Sequence, residues 1–267
     1  MDRKSPDELQ KHMLGTYFGL RMGLAVIGFV LPLIVLIAGG VLHGVGWQQS
    51  ISQYYHREGL SYLTTRDFFV GGLFAAGACL YLYKGFSTKE NVALNLAGAF
   101  AIFVALLPTG DAATGGGLVS QLHGISAVLF FLCIAYVSLC RARDTLPLLS
   151  PKKERRYARM YRLTGVIMVV SPLAAVGLSF ALNRTSIKFW VETFAMWAFS
   201  AYWLIKTKEM RETRAEKRAL DAELERAVVS APSLEPDVAS RRSADGSRSR
   251  RPAQSTEREA VIPAAQT

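Results

Sequence analysis

The chain has 267 residues, 51% of them hydrophobic and 19% charged, and a mean hydropathy of +0.21. Soluble domains carry about 25% charge, so these apolar residues are too many and too clustered for one aqueous core; a soluble enzyme, a disordered chain and a disulfide-rich secreted module are excluded. The net charge of +10, from 31 Lys and Arg against 21 Asp and Glu, fits a helical membrane protein with basic cytoplasmic segments.

A hydrocarbon layer about 30 Å thick takes about 20 apolar residues in a helix. Residues 1–21 form a basic leader, and six apolar runs follow between residues 22 and 205. The first, Met22 to Val45, is too long for a signal peptide and has no small-x-small cleavage site, so it is expected to stay as a span. The second runs from Asp67 to Tyr83, the third from Val92 to Pro108 and the fourth from Leu118 to Cys140. The fifth runs from Leu163 to Leu182 and the sixth from Phe189 to Ile205. Pro32 and Pro172 fall mid-helix, where neighbouring helices re-satisfy the freed carbonyl. Cys79, Cys133 and Cys140 lie inside apolar runs without a CxxC spacing and read as small core hydrophobes. Residues 206–230 mix both charge signs at helical spacing without Gly or Pro, which predicts a charged cytoplasmic helix continuing the sixth. Its stripe Leu220, Leu224 and Val228 is too short for a stable coiled coil. Residues 231–267 are rich in Ser, Pro, Ala and Arg and predict a disordered tail. The basic run Arg241 to Arg251 has no aromatic residue interleaved, so no specific nucleic-acid partner is expected. The fold expectation is all-α: a multi-pass, six-transmembrane-helix bundle whose first partner is the lipid bilayer.

Orientation follows from Lys and Arg. Four sit in the leader, two in the second-to-third loop, eight in the fourth-to-fifth loop and six just past the sixth helix. The other three loops hold only Arg57, Arg66, Arg184 and Lys188. Both termini are therefore expected in the cytoplasm. Trp47, Tyr54, Tyr55 and Trp190 near the outer boundary, with Tyr81, Tyr83, Tyr202 and Trp203 near the inner one, match interfacial aromatic belts.

No Asp, Glu, Lys or Arg occupies a helix centre, as an ion-coupled transporter or proton pump would require. Polar residues gather instead at the expected outer end. Helices two, four and six bring Asp67, Ser120, His123 and Glu192, and the outer loops add Ser52, Tyr54, Tyr55, His56, Arg66, Asp111 and Thr114. Asp67, Gly71 and Ala75 share one face, and that small-residue stripe predicts that Asp67 points into the bundle. Three readings of the rim stand side by side. Asp67 can cap its own helix, His123 can donate to a backbone carbonyl, and Glu192 can pair with Arg184. Alternatively His56, Asp67, His123 and Glu192 supply zinc ligands and an activating base for a membrane hydrolase. Finally, Tyr54, Tyr55 and Trp190 wall a pocket for a lipid or small amphiphile whose head group the charges orient. The loop Thr109 to Gly117 has no Lys and is not set between a strand and a helix, so its glycines read as a flexible turn around Asp111. A fourth reading makes the charged helix after Ile205 an assembly surface.

The ordered stretches SISQYYH, TRDFFVGGLFAAGACLYLYKGFSTKENVALNLAGAFAIFVALLPT, LHGISAVLFFLCIAYVSL and FWVETFAMWAFSAYWLIKT resemble an uncharacterised family of bacterial six-helix inner-membrane proteins, over about residues 20–208. That resemblance implies a location in the cell inner (cytoplasmic) membrane and no named activity. A fainter similarity is to the membrane hydrolases that include alkaline ceramidases and adiponectin receptors, which use a Ser, an Asp and three His around zinc in a seven-helix bundle. It implies roles for Ser52, Asp67 and His123. The paired histidines of that superfamily's last helix are missing, and the sixth segment offers Glu192 instead.

Overall fold

The computed structural model describes residues 6–42, 48–56, 64–109, 117–181 and 187–230. The sequence expectations at Trp47, Asp111 and Thr114, and the tail 231–267, lie outside them. Every element among the described residues is helical. Seven α-helices follow one another: α1 (Pro6–Ile37), α2 (Thr65–Leu82), α3 (Thr88–Leu106), α4 (Leu118–Tyr136), α5 (Pro151–Ala181), α6 (Ile187–Thr213) and α7 (Ala215–Ser230). A π turn (Ala38–Leu42) extends α1, and a 3₁₀ turn (Ile51–His56) lies between α1 and α2. A π turn (Val137–Arg141) and a 3₁₀ turn (Ala142–Leu148) carry α4 into α5. The chain divides into two units, residues 1–222 and 223–267; of the second, the described part is the last turns of α7.

In the first unit each helix packs on the next in chain order, and α6 closes back on α1. The result is a ring of six. Lipid solvates apolar side chains as well as a protein core does, so a membrane ring is held by close packing and interhelical hydrogen bonds rather than by the hydrophobic effect. Both are present. Gly77 of α2 and Gly98 of α3 cross so closely that a Cβ on either would stand 2.9 or 2.8 Å from the other's carbonyl oxygen. The Ser200 hydroxyl of α6 donates to the Ala25 carbonyl of α1, and Trp197 Nε1 donates to the Phe29 carbonyl at 3.2 Å. The Ser138 hydroxyl donates to the Tyr161 carbonyl of α5 at 2.9 Å. The larger core joins Leu24, Leu80, Leu94, Phe130, Ile134, Phe199 and Trp203; a second, around Leu31, Val35, Ile51, Tyr54, Phe69 and Phe189, fills the other end.

Among the described residues four helical stretches are long and apolar enough to cross a membrane: Asp7–Gly40, Thr88–Leu106, Leu118–Leu148 and Pro151–Leu178. Of the six runs read from sequence, the second and sixth fall outside this set. The 18 residues of α2 open on Arg66 and Asp67, and α6 carries Lys188 and Glu192 at its start and charges again from Lys206.

Two local expectations are corrected. The packed face of α2 is Thr65, Phe69, Leu73, Ala76 and Leu80, while Asp67, Gly71 and Ala75 face outward. Bulk set against the small residues Gly72 and Gly77 decides the packing, and the 67–71–75 stripe is the complement of that face. The charged segment after Ile205 continues the sixth helix, but only as far as Thr213. α6 runs on to Thr213 with Lys206, Thr207, Glu209, Met210 and Thr213 buried. Arg214 then adopts φ 51°, and its N–H bonds the Met210 carbonyl at 3.0 Å. That is a left-handed helix stop on a non-glycine residue, and α7 starts anew after it. All three cysteines are free; Cys79 and Cys133 are half-buried and Cys140 is exposed.

Candidate functional site

The residues read from sequence as a rim are each tied into local structure. Asp67 is exposed and closes the start of α2: its Oδ2 accepts from the Thr64 backbone N–H at 2.7 Å and from the Thr64 hydroxyl at 3.0 Å. This is a capping box, the first of the readings above. His123 is buried on α4, and its Nδ1 lies 2.6 Å from the Leu107 carbonyl at the end of α3. Glu192 reaches from the first turns of α6 to the turn before α2, where its Oε2 accepts from the Ile51 N–H at 2.8 Å. Ser52 lies in the same turn; its hydroxyl is 3.1 Å from that of Ser50, and the Thr109 hydroxyl donates to its carbonyl at 3.5 Å. Tyr54 is fully buried, its ring 6.2 Å from that of Phe189 and pressed on Gly39. It is core rather than pocket wall. Arg66 is exposed and Ser120 half-buried, and both have electrostatic or hydrogen-bonded neighbours.

The structure thus brings Ser52, Thr109 and Glu192 together around the 48–56 segment. The side chains of Tyr55 and His56 are outside the described set, as is Asp111. Among the described residues no three His, Cys, Asp or Glu side chains gather as a metal-binding group.

The opposite end holds what sequence reasoning missed. Arg21 of α1 is 2% exposed, Glu90 of α3 1%, Lys206 of α6 1% and Glu209 of α6 0%. Arg21 forms a bidentate pair with Glu216 of α7 and donates to the Tyr83 hydroxyl at 3.4 Å. Lys206 Nζ donates to Glu209 Oε2 at 3.0 Å and to the Thr145 hydroxyl at 3.2 Å. The same Glu209 oxygen accepts from the Tyr161 hydroxyl at 3.0 Å. Tyr83, Tyr202 and Trp203 close over the group with ring centroids 5.1 Å apart for each tyrosine against the indole. Around it, Arg141 pairs with Asp144, and Lys153 with Glu212 at 3.0 Å. Glu212 also accepts from the Tyr157 hydroxyl, and these two donors, the lysine first, hold its carboxyl below the usual glutamate range. One signal was available in the sequence. Phe199, Tyr202, Lys206, Glu209, Met210 and Thr213 continue a single stripe at spacings of three and four, so the buried face of α6 does not stop where the charges begin.

A third feature is an open groove of about 480 Å³ between α3 and α4, lined by Thr88, Lys89, Val92, Leu96, Leu132 and Tyr136 among others. Its walls are apolar, and its polar end is the first turn of α3. Lys89 makes no ion pair among the described residues.

Comparison with curated proteins and with solved structures returns no match. A family profile described as "Protein of unknown function (DUF998)" matches residues 26–206, from within α1 to the buried Lys206 of α6. The chain belongs to the DUF998 family.

Proposed function

We propose that this is a six-span protein of the cell inner (cytoplasmic) membrane, with both termini in the cytoplasm, that seats an anionic phospholipid in the groove between α3 and α4. Support for six spans comes from α2 and α6. Both complete the ring and turn large apolar side chains outward: Phe74, Tyr81 and Leu82 from one, Ile187, Phe194 and Leu204 from the other. Water disfavours such faces and hydrocarbon accepts them. The Lys and Arg asymmetry supports the orientation.

The groove carries the ligand reading. Val92 and Leu96 follow Lys89 at helical spacing, so one face of α3 offers an ammonium and then an apolar channel continued by Leu132 of α4. In the proposed orientation Lys89 stands at the head-group level of the cytoplasmic leaflet, where anionic lipids attract basic residues. Glu192 and His123 are read as the seam that holds the 48–56 segment and the α3–α4 corner, and no observation favours the zinc hydrolase over that reading.

The test is lipid retention. The full chain is reconstituted in nanodiscs of phosphatidylglycerol or of phosphatidylcholine, released into mild detergent and weighed intact by native mass spectrometry. The expected result is bound phosphatidylglycerol over phosphatidylcholine, lost in Lys89→Glu and kept in Lys84→Glu, whose side chain lies off the groove. Equal retention of both lipids, or retention unaffected by Lys89→Glu, refutes the reading.

A further inference from the structure

The buried ions at the basic end of the ring do not balance. Arg21 pairs with Glu216 and Lys206 with Glu209, while the more exposed Arg141 and Asp144 pair with each other. Among the described residues Glu90 is a buried carboxyl with no ion pair. It is as buried as Lys206. Its Oε2 accepts from the Phe86 N–H at 2.9 Å, while its Oε1 has no hydrogen-bond partner among the described residues. The charged and titratable groups that act on it come from each surrounding element: Tyr83 after α2, Arg141 and Asp144 from the turns before α5, and Tyr202 and Lys206 from α6. All but Tyr202 are engaged elsewhere. Tyr83 meets Arg21, Arg141 and Asp144 meet each other, and Lys206 meets Glu209 and Thr145.

An ionised carboxylate buried without a counter-ion costs several kcal/mol even after relaxation, and the usual resolution is to hold the group neutral. We propose that Glu90 is a proton-binding site: a carboxylic acid in this conformation, which exchanges its proton with water at the basic end of the ring. The step is Glu90–COOH giving Glu90–COO⁻ and a proton passed to water, with no other bond made or broken.

The surroundings suit such a step. The 84–87 turn lies against the carboxyl. Gly85 lies so close that a Cβ there would stand 2.6 Å from Glu90 Cγ, and Phe86 above it is partly exposed. Lys206 is the cation that answers the new charge. Its Nζ is 5.6 Å from the centroid of the Phe86 ring, and on deprotonation it moves from Glu209 toward Glu90. Glu209 keeps the Tyr161 hydroxyl. The proposal is independent of the lipid groove, because Lys89, Val92 and Leu96 lie on the other face of α3 from Glu90, Leu94 and Ala97.

Infrared spectroscopy of the full chain in detergent at neutral pH tests it. The expected spectrum has a protonated-carboxyl C=O band, sensitive to deuterium, that converts to carboxylate on alkalinisation. The band is absent in Glu90→Gln and present in Glu209→Gln. A wild-type spectrum without that band, or a band that survives in Glu90→Gln, overturns the proposal. Stability gives a second readout, since an amide has the shape of a neutral acid and no charge. Glu90→Gln is expected to melt with the wild type at neutral pH. A variant that fails to fold, or melts far below it, means that Glu90 was ionised and Lys206 depended on it, and the proposal falls.

Discussion

Replacing Arg21 by Ala measures what the buried ions contribute. The guanidinium is 2% exposed, and its partner Glu216 is 16% exposed. Two parallel N–H···O contacts join them, the Tyr83 hydroxyl takes a third donor, and the cation also lies 5.9 Å from the centre of the Tyr83 ring. Removing one member of a buried pair leaves the other desolvated and uncompensated, at about 3–5 kcal/mol. Glu216 retains some water, so the expected loss is at the lower end, about 3 kcal/mol. For a domain of roughly 200 residues that corresponds to a fall of about 6–12 °C in Tm. Thermal unfolding in mild detergent, followed by intrinsic tryptophan fluorescence, reads it. A cycle with Glu216→Ala separates the pair from its members: both single variants should be costly, and the double variant should cost much less than their sum. Replacing both by apolar residues, Arg21→Met with Glu216→Leu, should restore most of the loss. A single-variant loss under about 1 kcal/mol, the range of solvent-exposed pairs, or strict additivity in the cycle, refutes the view that this pair works as a desolvated clamp.

Three further outcomes follow from geometry. Gly77→Leu drives a side chain into the Gly98 carbonyl and Ile102, each 2.9 Å from the new Cβ, and should lower stability by about 1–3 kcal/mol through overpacking; Gly71→Ala, with nothing within 4 Å, should not, and equal Tm values for the two would refute the close crossing. Glu192→Ala leaves the Ile51 N–H unpaired at a cost of about 1–3 kcal/mol and should speed proteolysis within 48–56, whereas Glu192→Gln keeps an acceptor and the wild-type rate. Because Lys153 and Tyr157 hold the Glu212 carboxyl below its ordinary value, its contribution is present above the unfolded-state pKa and fades as pH falls through the lower folded-state one; Lys153→Ala should flatten the acid side of the Tm–pH curve, and an unchanged curve would show that the contact does not matter.

The helices were legible because an apolar run of about 20 residues has few other uses, and the runs from Val92, Leu118 and Leu163 fall on α3, α4 and α5 up to Leu106, Tyr136 and Ala181. What a run alone does not state is which neighbour each face meets. Asp67 shows this. Its position relative to Gly71 and Ala75 suggests an inward group, but Phe69 and Leu73 win the interface by packing with Leu31, Val35, Val104 and Phe189, and Asp67 is left to cap its helix. Lys206 and Glu209 show the opposite failure. Charges near a membrane boundary suggest solvated flanks, yet their spacing from Tyr202 carries the packed face on, and each supplies the other's missing charge. Single-residue chemistry around the 48–56 end was partly readable: a cap for Asp67 needs only a near neighbour, and a carbonyl for His123 is offered by the helix end packed beside it. The partner of Glu192 was not, since Ile51 lies 141 positions away and offers a backbone group that every residue has.

That burial changes where the chain can be cut to ask what α7 does. A truncation after Lys206 removes Glu209 and Thr213, so it dismantles the ring and says nothing about partners. A truncation after Thr213 spares the ring but strips Glu216 from Arg21 and Asp221 from Gln10, whose amide donates to it at 2.7 Å. It should therefore reproduce the Tm loss of Glu216→Ala, with little added by the exposed Gln10 contact. A truncation after Ser230 retains both contacts and should melt with the full chain. If binding of an assembly partner is lost with the second cut and kept in Glu216→Ala at matched stability, α7 is a docking surface in its own right. If both lose it together, α7 acts by closing over Arg21. If the second cut melts with the full chain, Arg21 is not held by α7 and the clamp argument fails with it.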